Sequence, residues 1–297
     1  RTAANIFSLS ASRLVSIATS VVLAILAARI LGPTVFGQYA VVFVLIGYCA
    51  VFVEFGISDI VVREIAAGRK PPQVFVRPVV VIRLVIWMLS SVLLLVGVYL
   101  WKREILVPMG AGAIVLLAEG LYGVFDPLFR GIQEMRRLAV VEIVFSLLRT
   151  CAGIGALMFF PGLDALMIAI AAATIAKAIL VFVFYRMRFN DVASTREVLG
   201  VEHLLRESFA NFSWKAVSIV YMQMNVPLIA LLVSDTAVGY FRASMNFVDL
   251  PTNFLAVLLS AVFPFLSGVH SRSFDEFADR IRWMMTGALV LAAGRTQ

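Results

Sequence analysis

VVVIRLVIWMLSSVLLLVGVYL, from Val79 to Leu100, holds twenty-two residues and a single charge, Arg83. At ~1.5 Å per helical residue such a run reaches ~33 Å, enough to cross the ~30 Å hydrocarbon layer of a bilayer. A helix of this length on a water-soluble domain would carry a polar face, and this one has none. Lipid offers no partner to an unpaired strand edge, so the run is predicted to be helix. Its neighbours repeat the pattern. Further runs extend roughly from Ile6 to Ile30, Tyr39 to Val61, Ile105 to Phe125, Leu138 to Phe160, Ala165 to Tyr185, Phe209 to Val233 and Val238 to Leu266. A ninth begins near Trp283 and reaches Gln297 with too few apolar residues to span.

Composition agrees with an all-α, polytopic membrane protein. Of 297 residues 62% are hydrophobic and 14% charged, with mean hydropathy +0.98. Soluble domains run near ~45–50% apolar and ~25% charged. Only 19 Gly, 10 Pro and 2 Cys are present, which excludes collagen, disorder and a disulfide scaffold. Cys49 and Cys151 fall inside spans and read as small apolar fillers. The chain starts at Arg1 and its last run is short, so a fragment of a longer membrane protein is expected. The first run is too long for a signal peptide.

Loop charges give the orientation. One side carries Arg1, Arg63, Arg69, Lys70, Arg77, Arg130, Arg136, Arg137, Arg186, Arg188, Arg196, Arg206, Arg272, Arg280 and Arg282; the other has Arg29, Lys102 and Arg103. The basic side is predicted to be cytoplasmic, with the N-terminus on it. Short, scattered basic loops also explain the net charge of +7 without nucleic acid.

The polar segment around 186–207 divides the chain. Residues 1–185 are predicted to form a six-helix lobe, 186–207 a cytoplasmic connector, and 208–297 a partial second lobe with helices seven, eight and the start of nine. A parallel repeat relates the two. Thr34, Gly37 and Tyr39 recur as Thr236, Gly239 and Phe241 at an offset of 202, which also carries Arg13 onto Lys215 and Ser16 onto Ser218.

A charge at the centre of a membrane helix costs ~2.5–3.5 kcal/mol on insertion scales, so such residues face a bundle interior or a wet cavity. Arg83 lies near a helix end and can snorkel, and Arg295 sits in the shortened last run. The other span cations are Arg13, Arg149, Lys177, Lys215 and Arg242; the span acids are Glu54, Glu119, Asp126, Glu142 and Asp249. In helices four to six, Glu119, Glu142, Arg149 and Lys177 are expected to form an internal ion-pair network. Helices one, seven and eight instead carry polar stripes: Asn5, Ser8, Ser12, Ser16 and Thr19 with Arg13 alongside; Asn211, Lys215, Ser218, Met222 and Asn225; and Arg242, Asn246, Asp249, Asn253 and Ser260. Three such stripes, each with a cation, predict the walls of a hydrated, positively charged cavity. Pro227 and Pro251 lie inside spans and permit kinks. His203 and His270 have no ligand partners at metal spacing, and neither a phosphate loop nor a nucleophile elbow occurs. No cofactor and no enzymatic activity are expected.

Several segments carry a resemblance. Ala27-Ala28-Arg29-Ile30-Leu31-Gly32-Pro33-Thr34-Val35-Phe36-Gly37-Gln38-Tyr39, Glu54-Phe55-Gly56-Ile57, Arg63-Glu64-Ile65-Ala66, Val238-Gly239-Tyr240-Phe241-Arg242-Ala243-Ser244 and Val262-Phe263-Pro264-Phe265-Leu266-Ser267 resemble Wzx-like O-antigen and polysaccharide flippases. These belong to the multidrug/oligosaccharidyl-lipid/polysaccharide exporter superfamily. The resemblance implies two pseudo-symmetric six-helix lobes in a V around a central cavity bordered by helices one, two, seven and eight, the second lobe truncated here. It implies a bacterial inner-membrane protein that translocates a lipid-linked oligosaccharide on an undecaprenyl pyrophosphate carrier and works beside polysaccharide polymerase or glycosyltransferases. Arg13, Lys215 and Arg242 would bind the pyrophosphate; Asn246 and Asn253 would meet sugar hydroxyls; Asn211, Ser218 and Asp249 would complete the walls. Two alternatives stand beside it. A cation-coupled multidrug exporter of the same superfamily would carry an acid in its first helix, where this chain has Arg13. A non-transporting membrane scaffold would use its buried charges only as internal pairs.

Overall fold

The structure is a computed structural model that describes residues 2–189, 201–249 and 251–252, with side chains from Ala11 onward. Among these residues every regular element is helical. Helix α1 (Thr2–Glu54) is 53 residues long with a non-helical break at Gly32 (φ 73°, ψ 170°). A straight helix of that length would measure ~80 Å, more than twice the hydrocarbon layer. The break makes it a hairpin of two spans: Ser20 and Ala24 of the first arm line the same cavity as Ala40 and Phe43 of the second. Glycine tolerates the positive φ, and Pro33 restarts the helix where a missing N–H does no harm.

The second arm ends at Glu54, seven residues short of the predicted end at Val61. Phe55 (φ 48°) and Gly56 (φ 67°) turn the chain into a separate short helix, α2 (Ile57–Ala66). Ile57, Ile60, Val61 and Ile65 form its buried face, while Asp59, Arg63 and Glu64 keep charge on its remaining surface. Helices α3 (Gln73–Trp101), α4 (Leu106–Gly131), α5 (Met135–Phe159) and α6 (Leu163–Phe189) follow as the expected spans. Helix α7 (Val201–Gln223) and α8 (Asn225–Leu232) together make a span bent by 46°, just before Pro227. A ninth helix, α9, occupies 235–249. The connector expected at 186–207 is helical at both described ends, since α6 runs to Phe189 and α7 begins at Val201. Gly32 and the α3–α4 turn lie at one end of the bundle, here the Gly32 end; Glu54, the α2–α3 loop with Arg69, the start of α5 with Arg136 and the end of α6 with Arg188 lie at the other, the Glu54 end.

Two apolar clusters hold the six-helix lobe. Leu23, Ala27, Phe36, Met109, Leu166 and Met167 pack in the Gly32 half. Ile57, Phe75, Leu128, Phe129, Leu138 and Val181 pack in the Glu54 half. Between them the middle of α4, α5 and α6 supplies a polar layer: Glu119, Glu142, Thr150, Thr174 and Lys177. Outward residues such as Leu93 (75% exposed) and Leu100 (78%) are apolar, as a lipid-facing surface requires.

Candidate functional site: a central cavity and a glycine crossing

At the Gly32 end the repeat becomes a physical contact. Thr34 Oγ1 and Thr236 Oγ1, 202 residues apart, share a hydrogen bond of 2.8 Å. A Cβ on Gly37 would collide with the carbonyl oxygen of Asp235, and one on Gly239 with that of Pro33. The offset that takes Gly37 to Gly239 takes Pro33 to Asp235, so each contact is the other with partners exchanged. This is the geometry of a two-fold axis through Thr34 and Thr236. Glycine at both positions lets the starts of the second arm and of α9 touch backbone to backbone. Lys102 on the α3–α4 turn pairs with Asp235, to which Gln38 also donates at 3.4 Å.

Beyond this crossing lies a cavity of about 430 Å³. Its walls are Ser16, Ile17, Ser20, Val21 and Ala24 of the first arm, Phe36, Tyr39, Ala40, Phe43 and Val44 of the second, Gln223 of α7, and Arg242, Asn246 and Asp249 of α9. The three α9 residues sit at i, i+4 and i+7, one face of a helix. Arg149 reaches this wall from α5, donating from Nη2 to the Ser20 hydroxyl with its guanidinium 5.3 Å from the Phe145 ring. Arg13 is exposed one turn before Ser16 and Ile17 on the same helical face, toward the Glu54 end.

Other expected wall residues stand elsewhere. Lys215 joins α7 to the Glu54 end of the first lobe, with Nζ 2.8 Å from Glu54 Oε1 and 2.8 Å from Asp59 Oδ2. The short helix α2 brings Asp59 there, and two carboxylates hold the ammonium away from the cavity. Arg63 adds a second tie to Glu207 at 3.1 Å. Asn211 packs against the Gly56 turn, beside Phe212, whose ring stacks on Phe55 at 4.4 Å. Ser218 is half-buried on α7 and does not line the cavity. Asn253, Ser260 and the run from Trp283 lie outside the described residues.

The polar layer holds most of the expected ion pairs. Lys177, with 6% of its side chain exposed, bridges Glu119 at 3.2 Å and Glu142 at 3.1 Å. Its ammonium sits over Tyr122 at 3.9 Å and Phe145 at 4.5 Å. Arg149 departs from the expectation: it is bound to Ser20 and not to a carboxylate. Ser20 continues the line of Ser12 and Ser16 at i+4 spacing, yet the stripe alone did not say which helix would bring a cation to it.

Comparison with known proteins places this architecture. Residues 2–270 match the family described as Polysaccharide biosynthesis protein. Among solved structures, MATE in complex with MaL6 aligns with TM-score 0.69 at 14% identity, covering 98% of this chain and 71% of that one. The outward-facing conformation of a multidrug resistance MATE family transporter of the MOP superfamily aligns with TM-score 0.68 at 15% identity, covering 98% and 71%. A MOP superfamily transporter from Pyrococcus furiosus, described as having a binding pocket of reverse polarity that suggests a different function, aligns with TM-score 0.65 at 13% identity, covering 97% and 71%. Among curated proteins none matches. At these identities the structural likeness speaks for the fold.

Proposed function

The chain belongs to the polysaccharide biosynthesis family, a family of membrane transporters and not enzymes, and from that premise we propose that it moves a polyprenyl-pyrophosphate-linked oligosaccharide across the bacterial inner membrane. One observation carries this reading: the central cavity is lined by Arg242 of α9, and Arg149 of α5 donates to Ser20 on its wall. Asp249 is the acid on that wall among the described residues. A doubly charged pyrophosphate gains charge-assisted, bidentate hydrogen bonds from two such planar donors. Asn246, Gln223, Ser16 and Ser20 offer amides and hydroxyls suited to sugar hydroxyls. Arg13, exposed on the same face toward the Glu54 end, draws the anionic head group in. The polyprenyl tail remains in lipid beside a lateral gap.

With the positive-inside rule, the Glu54 end is cytoplasmic. The glycine crossing then shuts the cavity toward the periplasm, and translocation requires parting Thr34 from Thr236 while the Glu54 end closes. The drug-exporter alternative calls for a cavity that attracts cations, and Arg242 on its wall with Arg149 bonded to the wall residue Ser20 opposes it. Polysaccharide polymerase or glycosyltransferases would supply or consume the cargo.

Export of surface glycan from cells carrying only a variant gene tests the reading. Arg242→Glu and Arg149→Glu are expected to abolish export, with the protein still present in the membrane. Normal export from both variants would remove the pyrophosphate role.

A further inference from the structure

We propose that Asp249 determines which sugar the central cavity accepts: one that presents hydroxyl or amide N–H groups beside the pyrophosphate, and not one that presents a carboxylate there. The inference rests on the flippase reading and deepens it. Four of the five span acids are held by cations. Glu54 binds Lys215, Glu119 and Glu142 share Lys177, and Asp126 pairs with Arg130. Asp249 is the exception. It stands half-buried on the cavity wall, and among the described residues no hydrogen bond or ion pair reaches its carboxylate. An acid inside a span is costly, and one that faces a wet cavity without a cation is available to a ligand.

Its neighbours on α9 set the register. Arg242, Asn246 and Asp249 face the cavity from one side of the helix, and seven residues put the carboxylate ~10.5 Å along the axis from the guanidinium. That separation is too long for a direct pair, so both charges remain open to cargo. Helix α9 starts at the glycine crossing, which shuts the cavity at the Gly32 end, and Asp249 lies on the Glu54 side of Arg242. Cargo whose pyrophosphate sits at Arg242 therefore extends its sugar past Asn246 to Asp249.

The second arm supplies an independent sign of a sugar. Tyr39 and Phe43 line the same cavity one helical turn apart, with ring centroids separated by 4.6 Å. The negative face of an aromatic ring attracts the C–H face of a sugar ring, while an amide and a carboxylate take its hydroxyls. An ionised carboxylate is acceptor-only, and its two oxygens suit adjacent O–H or N–H donors through charge-assisted bonds. A carboxylate on the sugar would meet like charge there instead. Arg242 is two turns away and Arg149 is turned to Ser20, so neither stands beside Asp249 to offset the repulsion. Attraction for one cargo and repulsion of another on a single side chain is a device of specificity.

Calorimetric titration of the whole protein in lipid nanodiscs tests this with three probes: farnesyl pyrophosphate, and the same carrier bearing N-acetylglucosamine or glucuronic acid. Farnesyl pyrophosphate alone reads the flippase premise, and the two sugar probes read Asp249. The wild type is expected to bind the N-acetylglucosamine probe at least about tenfold more tightly than the glucuronic acid probe. Asp249→Asn strands no partner, so the fold is retained, and the two affinities become equal. Asp249→Lys reverses their order. Equal affinities in the wild type, or the same preference in Asp249→Asn, overturn the role of Asp249, while binding of farnesyl pyrophosphate leaves the flippase reading standing. No binding of farnesyl pyrophosphate overturns that reading, and this assignment with it.

Discussion

Lys177 shows how a charge survives in the middle of a membrane bundle. Its ammonium is buried but touches two carboxylates and two aromatic faces, so no buried polar bond is left open. Removing one member of such a set costs more than removing the pair, because the survivor is stranded. Lys177→Met is therefore expected to destabilise the folded protein by about 3–5 kcal/mol, read as a lowered unfolding midpoint in detergent. Lys177→Met combined with Glu119→Gln should recover most of the loss; a single-variant loss below about 1 kcal/mol would mean that the layer is not held by charge. The Lys177–Glu119 pair was legible because α4 and α6 are spans whose centres fall at one depth. Arg149 was not. Its i, i+7 relation to Glu142 puts both on one helical face but ~10.5 Å apart along the axis, too far to pair directly, and the nearest acceptor came from another helix. Lys215 misled for a related reason, since its match to Arg13 in the repeat says nothing about the carboxylate that the short helix α2 brings beside it.

At the scale of elements, the glycine crossing is the feature on which the proposed movement depends. Two helix starts meet there without side chains between them, and a threonine pair marks the axis. Thr34→Cys with Thr236→Cys is expected to form a disulfide under mild oxidation, visible as a mobility shift reversed by reductant, and to stop glycan export until reduced. If export continues with the crosslink complete, the crossing does not open during the cycle. Gly37→Leu acts from the other direction, wedging the helices apart; export is expected to fall at least tenfold, the effect of about 1.4 kcal/mol on a rate-limiting barrier. The repeat was readable beforehand, the contact it makes was not. Threonine, glycine and an aromatic recur at a fixed offset, and close backbone approach restricts the glycine positions. The end of the second span was less readable, since apolar residues continue through Ile57, Ile60 and Val61. Only the amphipathic spacing of those residues against Asp59, Arg63 and Glu64 separates a short surface-seeking helix from the last turns of a span.

On the scale of the molecule, a cavity closed at one end by a symmetric contact must be reached from the other, and the proposed orientation, read from the basic loops, makes that other end cytoplasmic. Both statements are tested by the chemistry of single cysteines in intact cells, with Cys49 and Cys151 replaced by serine. Glu104→Cys, on the turn at the Gly32 end, is expected to react with a membrane-impermeant maleimide from outside. Arg188→Cys, at the Glu54 end, should react only after the membrane is permeabilised. Asn246→Cys, inside the cavity, then separates a static scaffold from a transporter. In a protein that alternates, Asn246→Cys is labelled slowly from outside as the crossing opens. With Thr34→Cys and Thr236→Cys oxidised to a disulfide, outside labelling should vanish while labelling in permeabilised cells persists. The crosslink removes one conformation and leaves the cavity intact, so unchanged outside labelling would mean a second entrance, and no outside labelling before oxidation would mean a cavity that never turns outward.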